Sequence, residues 1–371
     1  MQYVDYGKTG IKVSRFGLGC MRFPTDEAEA IEMVRFALDN GVNYLDTAYI
    51  YNESERITGL ALKDGYREKA IIATKNPVWQ VEKYDDFEKY LDEELKRLGT
   101  DYIDVYLLHN MEFNNWVKVK KLDGFTFLDK MVQKGKIRHK AFSFHGTASA
   151  FKEVVDAFDW EMAQIQLNIL DEFQQAGVDG LKYAAKKGMA VVIMEPLRGG
   201  HIINNVPEEV KKIVEAYPEK RALIDWAFRW LYNMPEPTVI ICGTNSVEQL
   251  KQNIEIFKNA KLNVMSAEDI AFITRIREAF ESKKSIGCTG CRYCMPCPMN
   301  VDIPQIFKLF NNCVSMNSHW VDKEMYNNNL IPSGLGADQC IECGECTKHC
   351  PQGLNIPEKL KEAHKGLAGS L

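Results

Sequence analysis

Val42-Asn43-Tyr44-Leu45-Asp46-Thr47-Ala48-Tyr49-Ile50-Tyr51 is a short β-branched and aromatic run that ends on a carboxylate, Asp46, and reaches a phenol, Tyr51, five residues later. It reads as a strand delivering polar groups at its C-terminal end. Two later runs end the same way: Ala70-Ile-Ile-Ala-Thr leads into Lys75, and Ile103-Asp-Val-Tyr-Leu-Leu leads into His109. Three neighbouring strand ends therefore offer a carboxylate, a phenol, an ammonium and an imidazole. Polar side chains gathered at the C-terminal ends of consecutive parallel strands are where a barrel of alternating strands and helices keeps its chemistry. The groups also suit one another. A phenol with an ordinary pKa of about 10 is a poor proton donor at neutral pH. A nearby ammonium stabilises the phenolate and lowers that value, and a carboxylate keeps the ammonium charged and aimed.

Outward from this stretch, the chain alternates. Strands are expected near Phe16 to Cys20, Val42 to Asp46, Ala70 to Lys75, Ile103 to His109, Ile137 to Ser143, Met162 to Leu167, Ala190 to Glu195 and Thr238 to Cys242. Segments of helical periodicity separate them, among them Glu27 to Asn40, Phe87 to Leu98, Phe151 to Phe158 and Gly180 to Lys187. Eight strand-helix units close a (β/α)8 TIM barrel of the α/β class rather than an open sheet. A doubly wound sheet is the runner-up, and the lack of a Gly-x-Gly-x-x-Gly turn after the first strand counts against its dinucleotide-binding form. Residues 2 to 14, with Gly7-Lys-Thr-Gly10 between short alternating runs, suggest a hairpin closing the barrel bottom, and helices over Val247 to Phe257 and Ala267 to Phe280 finish the domain.

The Asp-Thr-Ala-x-x-Tyr, Ala-Thr-Lys and Leu-Leu-His segments together resemble the aldo-keto reductase superfamily in order and approximate spacing. That resemblance assigns its four catalytic positions to Asp46, Tyr51, Lys75 and His109, and implies hydride transfer from a nicotinamide to a carbonyl. Later loops carry matching motifs: Ser143-Phe-His, Gln166-Leu-Asn168, Glu195-Pro-Leu-Arg-Gly-Gly200 and Gly243-Thr-Asn-Ser-Val-Glu-Gln-Leu. In the last of these a glycine turn feeds a helix N-terminus, whose N–H groups and dipole suit a phosphate. By resemblance, the cofactor contacts are Ser143, Gln166, Leu197, Gly243, Thr244, Gln249 and Asn253. Two departures stand out. Thr244-Asn245-Ser246 occupies the place where members preferring NADPH carry a basic residue, so NADH and NADPH both stay open. Met194 stands where many members stack an aromatic ring on the nicotinamide, which keeps FMN in play as an alternative occupant.

At 371 residues the chain exceeds the roughly 250 of one barrel. Of eleven cysteines, nine lie beyond Gly287, and composition changes abruptly near Ser282. We therefore expect a barrel over residues 1–280 and a second module over 281–371. Cys340-x2-Cys343-x2-Cys346-x3-Cys350-Pro351 has the spacing of bacterial [4Fe–4S] ferredoxins, in which the cysteine before proline serves the other cluster. Cys288-x2-Cys291-x2-Cys294-x2-Cys297-Pro298 is one residue shorter, but Cys297-Pro-Met-Asn-Val-Asp-Ile-Pro304 aligns without a gap on Cys350-Pro-Gln-Gly-Leu-Asn-Ile-Pro357. We expect one cluster on Cys288, Cys291, Cys294 and Cys350, and another on Cys340, Cys343, Cys346 and Cys297. Zinc is the rival ligand, although its four-thiolate sites usually use two Cys-x2-Cys pairs. Apolar residues from Ile303 to Asn311 suggest a helical ferredoxin-like module. Cys20, Cys242 and Cys313 are left over and read as small buried side chains.

A formal net charge of −5 gives no electrostatic reason to expect nucleic acid or an anionic membrane as partner. The start Met1-Gln-Tyr-Val-Asp has neither a basic leader nor an apolar core, so a soluble cytoplasmic protein is expected. The expected partners are a small-molecule carbonyl or alcohol substrate and a redox partner protein. Aromatic Trp79, Trp116 and Phe113 suit a mouth for carbonyl compounds and are equally a packing pattern. Three functions fit: a nicotinamide-dependent carbonyl reductase with electron-transferring clusters, a flavin-mediated electron-transfer enzyme, and a non-catalytic cofactor-binding redox sensor.

Overall fold

Alternation of apolar runs with amphipathic segments is realised as a closed barrel in the computed structural model, which describes residues 1–146, 148–204, 206–282, 285–288, 290–316, 322–323 and 325–368. A hairpin of β1 (Tyr3–Asp5) and β2 (Lys12–Ser14) comes first. The barrel strands are β3 (Phe16–Gly19), β4 (Tyr44–Asp46), β5 (Ile71–Asn76), β6 (Ile103–Leu108), β7 (Ile137–Phe144), β8 (Met162–Gln166), β9 (Ala190–Met194) and β10 (Val239–Gly243). Each pairs in parallel with the next, and β10 pairs with β3 to close the ring. The connecting helices are α1 (Glu27–Asp39), α2 (Ser54–Ala61), α3 (Tyr84–Leu98), α4 (Phe113–Lys121), α5 (Gly124–Gln133), α6 (Ala148–Asp156), α7 (Gly177–Lys186), α8 (Glu208–Ala216), α9 (Leu223–Asn233), α10 (Val247–Lys258) and α11 (Ala267–Glu281).

Inward-facing residues fill the barrel. Tyr44, Ala73, Val105, Leu107, Ala141, Met162, Val192, Met194, Val239 and Ile241 form one buried cluster, floored by Tyr6 from the hairpin, whose hydroxyl lies 3.4 Å from that of Tyr44. Gly17 makes room for them. A Cβ there would come within 2.9 Å of both the Ile241 and Val239 side chains. Outside the ring, α3 shows how helices attach. Phe87, Leu91, Glu94 and Leu98 recur at helical spacing and are buried, and Gly99 ends the helix at φ +64°. Each buried Phe or Leu contributes roughly 1.5–3 kcal/mol.

The chain forms two compact units, one of residues 1–198 with 225–266 and the other of 199–224 with 267–371. The second therefore takes in α8 and α11, which pack on each other through stacked Tyr217 and Phe272 rings, 3.9 Å between centroids. Its cysteine-rich part is built on α12 (Ile303–Met316) and α14 (Ile356–Leu367), with the short α13 (Glu345–Lys348) before the latter. Ile306, Phe307, Leu309 and Phe310 of α12 meet Leu360, Ala363 and Leu367 of α14. Asn311 clamps Ile286, donating to its carbonyl at 2.7 Å and accepting from its N–H at 2.9 Å. Cys20, Cys242 and Cys313 are all buried. No strand follows β10 among the described residues, and no helix among them is long and apolar enough to cross a membrane.

The buried Glu94 does not fit an apolar stripe. Its carboxylate accepts from the Tyr106 hydroxyl at 2.5 Å, and Thr74 links it to Glu55. Burial, and then the nearby Glu55, push its pKa well above the ordinary carboxyl range. A carboxyl raised in the folded state stabilises the fold while protonated, and that contribution fades as pH climbs through its folded value. Melting temperature should therefore fall as pH rises above the ordinary carboxyl range, and Glu94→Gln should flatten that fall. A slope unchanged in the variant would remove Glu94 as its source.

Candidate active site and cluster sites

β4 and β5 are parallel neighbours with Asp46 opposite Ala73, and Lys75 lies two residues beyond Ala73 on the same face. That register brings the Lys75 Nζ to 2.8 Å from Asp46 Oδ1, with the two side chains 1% and 4% exposed. The ammonium also donates to the Thr47 carbonyl at 2.7 Å. Burial opposes the charge on Lys75, yet Asp46 and Tyr51 more than offset it and hold its pKa above the ordinary value. Tyr51, in the loop after β4, places its ring 4.9 Å from the same Nζ. His109 follows β6, edge-on to Tyr51 with centroids 6.2 Å apart. The four expected side chains thus meet at one end of the barrel.

Their protonation follows from their surroundings. Burial raises the Tyr51 phenol above its ordinary pKa, and Lys75 pulls it down by less. The lowering expected from the lysine is present but burial wins. Burial, then Lys75 and His145, push His109 well below the ordinary imidazole range, so it is neutral at physiological pH. Its Nδ1 is buried with no partner among the described residues. Trp79 lies 5.1 Å from His109 and is partly exposed, which makes it a mouth residue. Trp116 is not one. It is buried among the helices, donating to Glu153 at 2.7 Å and packing on Phe125, because its helix turns that face toward α5. The side chain of Phe113 lies outside the described residues.

The expected cofactor contacts divide into two groups. On β7 and β8, Ser143 accepts from the Asn110 N–H at 2.9 Å and so braces the turn after His109. Gln166 donates to Asp171 at 2.7 Å, and its oxygen accepts from Gln175. Leu197 is buried in a turn where Glu195 and Arg198 adopt φ of +54° and +50°. At the end of β10, Gly243 is exposed, Ser246 caps α10 by accepting from the Gln249 N–H, and Gln249 accepts from the Asn245 N–H. Thr244 Oγ1 and Asn253 Oδ1 are buried there without partners among the described residues. Beside a helix N-terminus the Thr244 hydroxyl can donate to a phosphate-bearing cofactor, whereas the acceptor Asn253 Oδ1 fits a donor group on such a ligand. Two polar groups escaped the sequence reading. Gln164, two before Gln166 on the same inward face, lies against Asp46 and donates to Met194 Sδ at 3.7 Å, a placement strand alternation could have revealed. Asp171 also accepts from Asn168 at 2.9 Å and pairs with Arg198 at 3.3 Å, and no local pattern signals that network.

In the second unit eight of the nine cysteines line two hollows. Cys288, Cys291, Cys294 and Cys350 surround one, and Cys297, Cys340, Cys343 and Cys346 surround the other. Ile303 lines both. Burial pushes the Cys294 thiol up to about 11, with Cys288 and Cys346 nearby acting the same way. Four thiolates around a common hollow need a positive core to relieve their repulsion, and the stepped cysteine spacing ending in Cys-Pro suits iron and sulfide better than a single zinc ion. No group of three ligating side chains among the described residues converges on a single-ion site. Gly290 donates its N–H to Cys288 Sγ at 3.4 Å, a contact of the kind that would tune a cluster held there.

Two outcomes test this geometry. Removing one member of a buried ion pair costs about 3–5 kcal/mol, so Lys75→Met should destabilise the chain by that much in denaturant melts, and adding Asp46→Asn should recover part of it. Equal stability of Lys75→Met and the parent would refute the pair's structural role. Cys350→Ser should lower iron from about eight to about four per chain by emptying the hollow of Cys288, Cys291 and Cys294. Retention of both clusters would place Cys350 outside the ligand set.

Residues 15–278 match the aldo/keto reductase family, and residues 287–354 match the 4Fe-4S dicluster domain. Among curated relatives, the aldo-keto reductase YhdN of Bacillus subtilis is 41% identical over 125 residues, covering 29% of this chain and 38% of that protein. The 6-dehydroglucose reductase of Novosphingobium aromaticivorans is 26% identical over 281 residues, covering 68% and 89%. Among solved structures, the holo form of aldo-keto reductase AKR11C1 from Bacillus halodurans superposes with a TM-score of 0.62 at 27% identity, covering 74% of this chain and 96% of that one. The chain belongs to the aldo/keto reductase family of oxidoreductases, its barrel followed in sequence by a 4Fe-4S dicluster domain with eight cysteines.

Proposed function

We propose that this chain reduces a small-molecule carbonyl, or oxidises the corresponding alcohol, with NADPH or NADH, and that its two [4Fe–4S] clusters exchange electrons in the same redox system. The reductase module runs over 1–280 and the cluster module over 281–371. The observation that carries the reading is the buried Lys75 ammonium, paired with Asp46 at 2.8 Å and 4.9 Å from the Tyr51 ring. A reduced nicotinamide, held by Ser143, Gln166, Leu197 and the Gly243 turn with Thr244, Gln249 and Asn253, would supply hydride. Tyr51 is the proton donor to the developing alkoxide, and Lys75 stabilises the phenolate that this leaves. Asp46 keeps Lys75 charged. Neutral His109 hydrogen-bonds the carbonyl oxygen and orients it toward Tyr51. Trp79 supplies an apolar wall at the mouth.

A flavin-mediated reading has one observation in its favour. Met194, buried at the end of β9, offers no ring to stack on a nicotinamide. A bound FMN would convert between paired and single electrons, which the clusters handle one at a time.

Tyr51→Phe should lose about 10²–10⁴-fold in carbonyl-reducing kcat with the fold retained, and unchanged turnover would remove Tyr51 from the mechanism. The same anaerobic, cluster-loaded sample, assayed for flavin and titrated with NADPH and NADH under visible and EPR spectroscopy, tests the rest. Clusters bleached by reduced dinucleotide support one redox chain, and bound flavin favours the second reading. Tight dinucleotide binding with no turnover of any carbonyl would instead favour a redox sensor.

A further inference from the structure

The turn after β10, Gly243-Thr244-Asn245-Ser246, carries no cation of its own, yet one reaches it from the other side of the barrel seam. β3 pairs in parallel with β10, with Gly19 opposite Gly243, and the chain then makes a single helical turn over Cys20–Arg22. A Cβ on Gly243 would lie 3.7 Å from Arg22 Cβ and 3.8 Å from its Cδ. The stem of Arg22 therefore runs along the open side of Gly243. Its charge is felt at Cys242, opposing the burial that pushes that thiol up to about 12.

Arg22 is exposed and makes no ion pair or hydrogen bond among the described residues. It shares this corner with the positive end of α10 and with the buried Thr244 Oγ1, a hydroxyl that can donate and has no partner among the described residues. A guanidinium beside a helix N-terminus sets two positive features together, and an anion between them turns repulsion into attraction on both sides. The planar fork of arginine matches phosphate oxygens in pairs, as a lysine does not.

We propose that Arg22 is the cationic partner of a dinucleotide phosphate at the Gly243 turn, standing in for the basic residue that the turn itself lacks. The assignment rests on the nicotinamide reading above. A dinucleotide offers two sources of that phosphate: the pyrophosphate common to NADH and NADPH, and the 2′-phosphate of NADPH alone.

The test is equilibrium titration of the full-length, cluster-loaded chain with NADH and with NADPH, comparing the parent with Arg22→Met, Arg22→Gln and Arg22→Lys. Loss of a charge-assisted contact should weaken binding about ten- to hundredfold. Weakening of both dinucleotides alike by Met and Gln assigns Arg22 to the pyrophosphate. Weakening of NADPH alone assigns it to the 2′-phosphate. Either supports the proposal, and Lys should fall between parent and Met. Parent-like affinity for both dinucleotides in the Met and Gln variants overturns it while leaving the nicotinamide reading intact. A parent chain that binds neither dinucleotide overturns that reading, and this assignment with it.

Discussion

An ammonium taken out of water must find its compensation inside the fold, and Lys75 finds it in one place. Desolvating such a charge costs several kcal/mol, so the ends of β4 and β5 are constrained to a register that sets Asp46 and the Thr47 carbonyl against it. The loop after β4 must then pass Tyr51 over the same nitrogen, and the end of β6 must bring His109 alongside. Burial makes this arrangement chemically useful as well as costly. It keeps His109 neutral and holds the Tyr51 phenol above its ordinary pKa.

The cysteine-rich unit is governed by a different constraint. Its apolar core rests on two short helices, α12 and α14, and a core of that size stabilises a module only modestly. Each hollow draws cysteines from both runs, Cys350 joining Cys288, Cys291 and Cys294, and Cys297 joining Cys340, Cys343 and Cys346. A cluster in either hollow would therefore tie distant parts of the sequence together. The same apolar side chains that form the core, Ile303 above all, also line the hollows, so packing and cluster environment are set by the same residues.

The top of the barrel divides its labour around the ring. Early strands, β4 to β6, carry the titratable cluster of Asp46, Tyr51, Lys75 and His109, and the late strands carry groups that brace turns. Gln166, Asp171, Gln175 and Ser143 spend hydrogen bonds on one another and on neighbouring loops. At the seam, where β10 returns to β3, Thr244 Oγ1 and Asn253 Oδ1 are buried without partners among the described residues, and Arg22 is exposed beside them. A buried polar group without a protein partner calls for water, an ion or a ligand to complete it.

Much was legible in the sequence for a local reason. Strand alternation is a period-two signal and helix alternation a 3.6-period one, and both lie within a dozen residues. The eight barrel strands, the hairpin floor and the cysteine runs all follow from such short windows. Asp46, Lys75 and His109 were legible because each sits at the end of its own strand, and Tyr51 because it follows Asp46 by five residues. What required the tertiary structure was everything fixed by closure of the ring or by burial. Trp116 and Trp79 look alike as aromatic residues, and only packing sends one among the helices and the other to His109. The balance between Lys75 and burial at Tyr51 depends on how much water the whole barrel excludes. Arg22 is more than two hundred residues from Gly243 in the chain, and they meet only because the last strand pairs with the first. Local periodicity determined which elements form. Long-range closure decided which side chains face each other, since no window of sequence carries the register between strands so far apart.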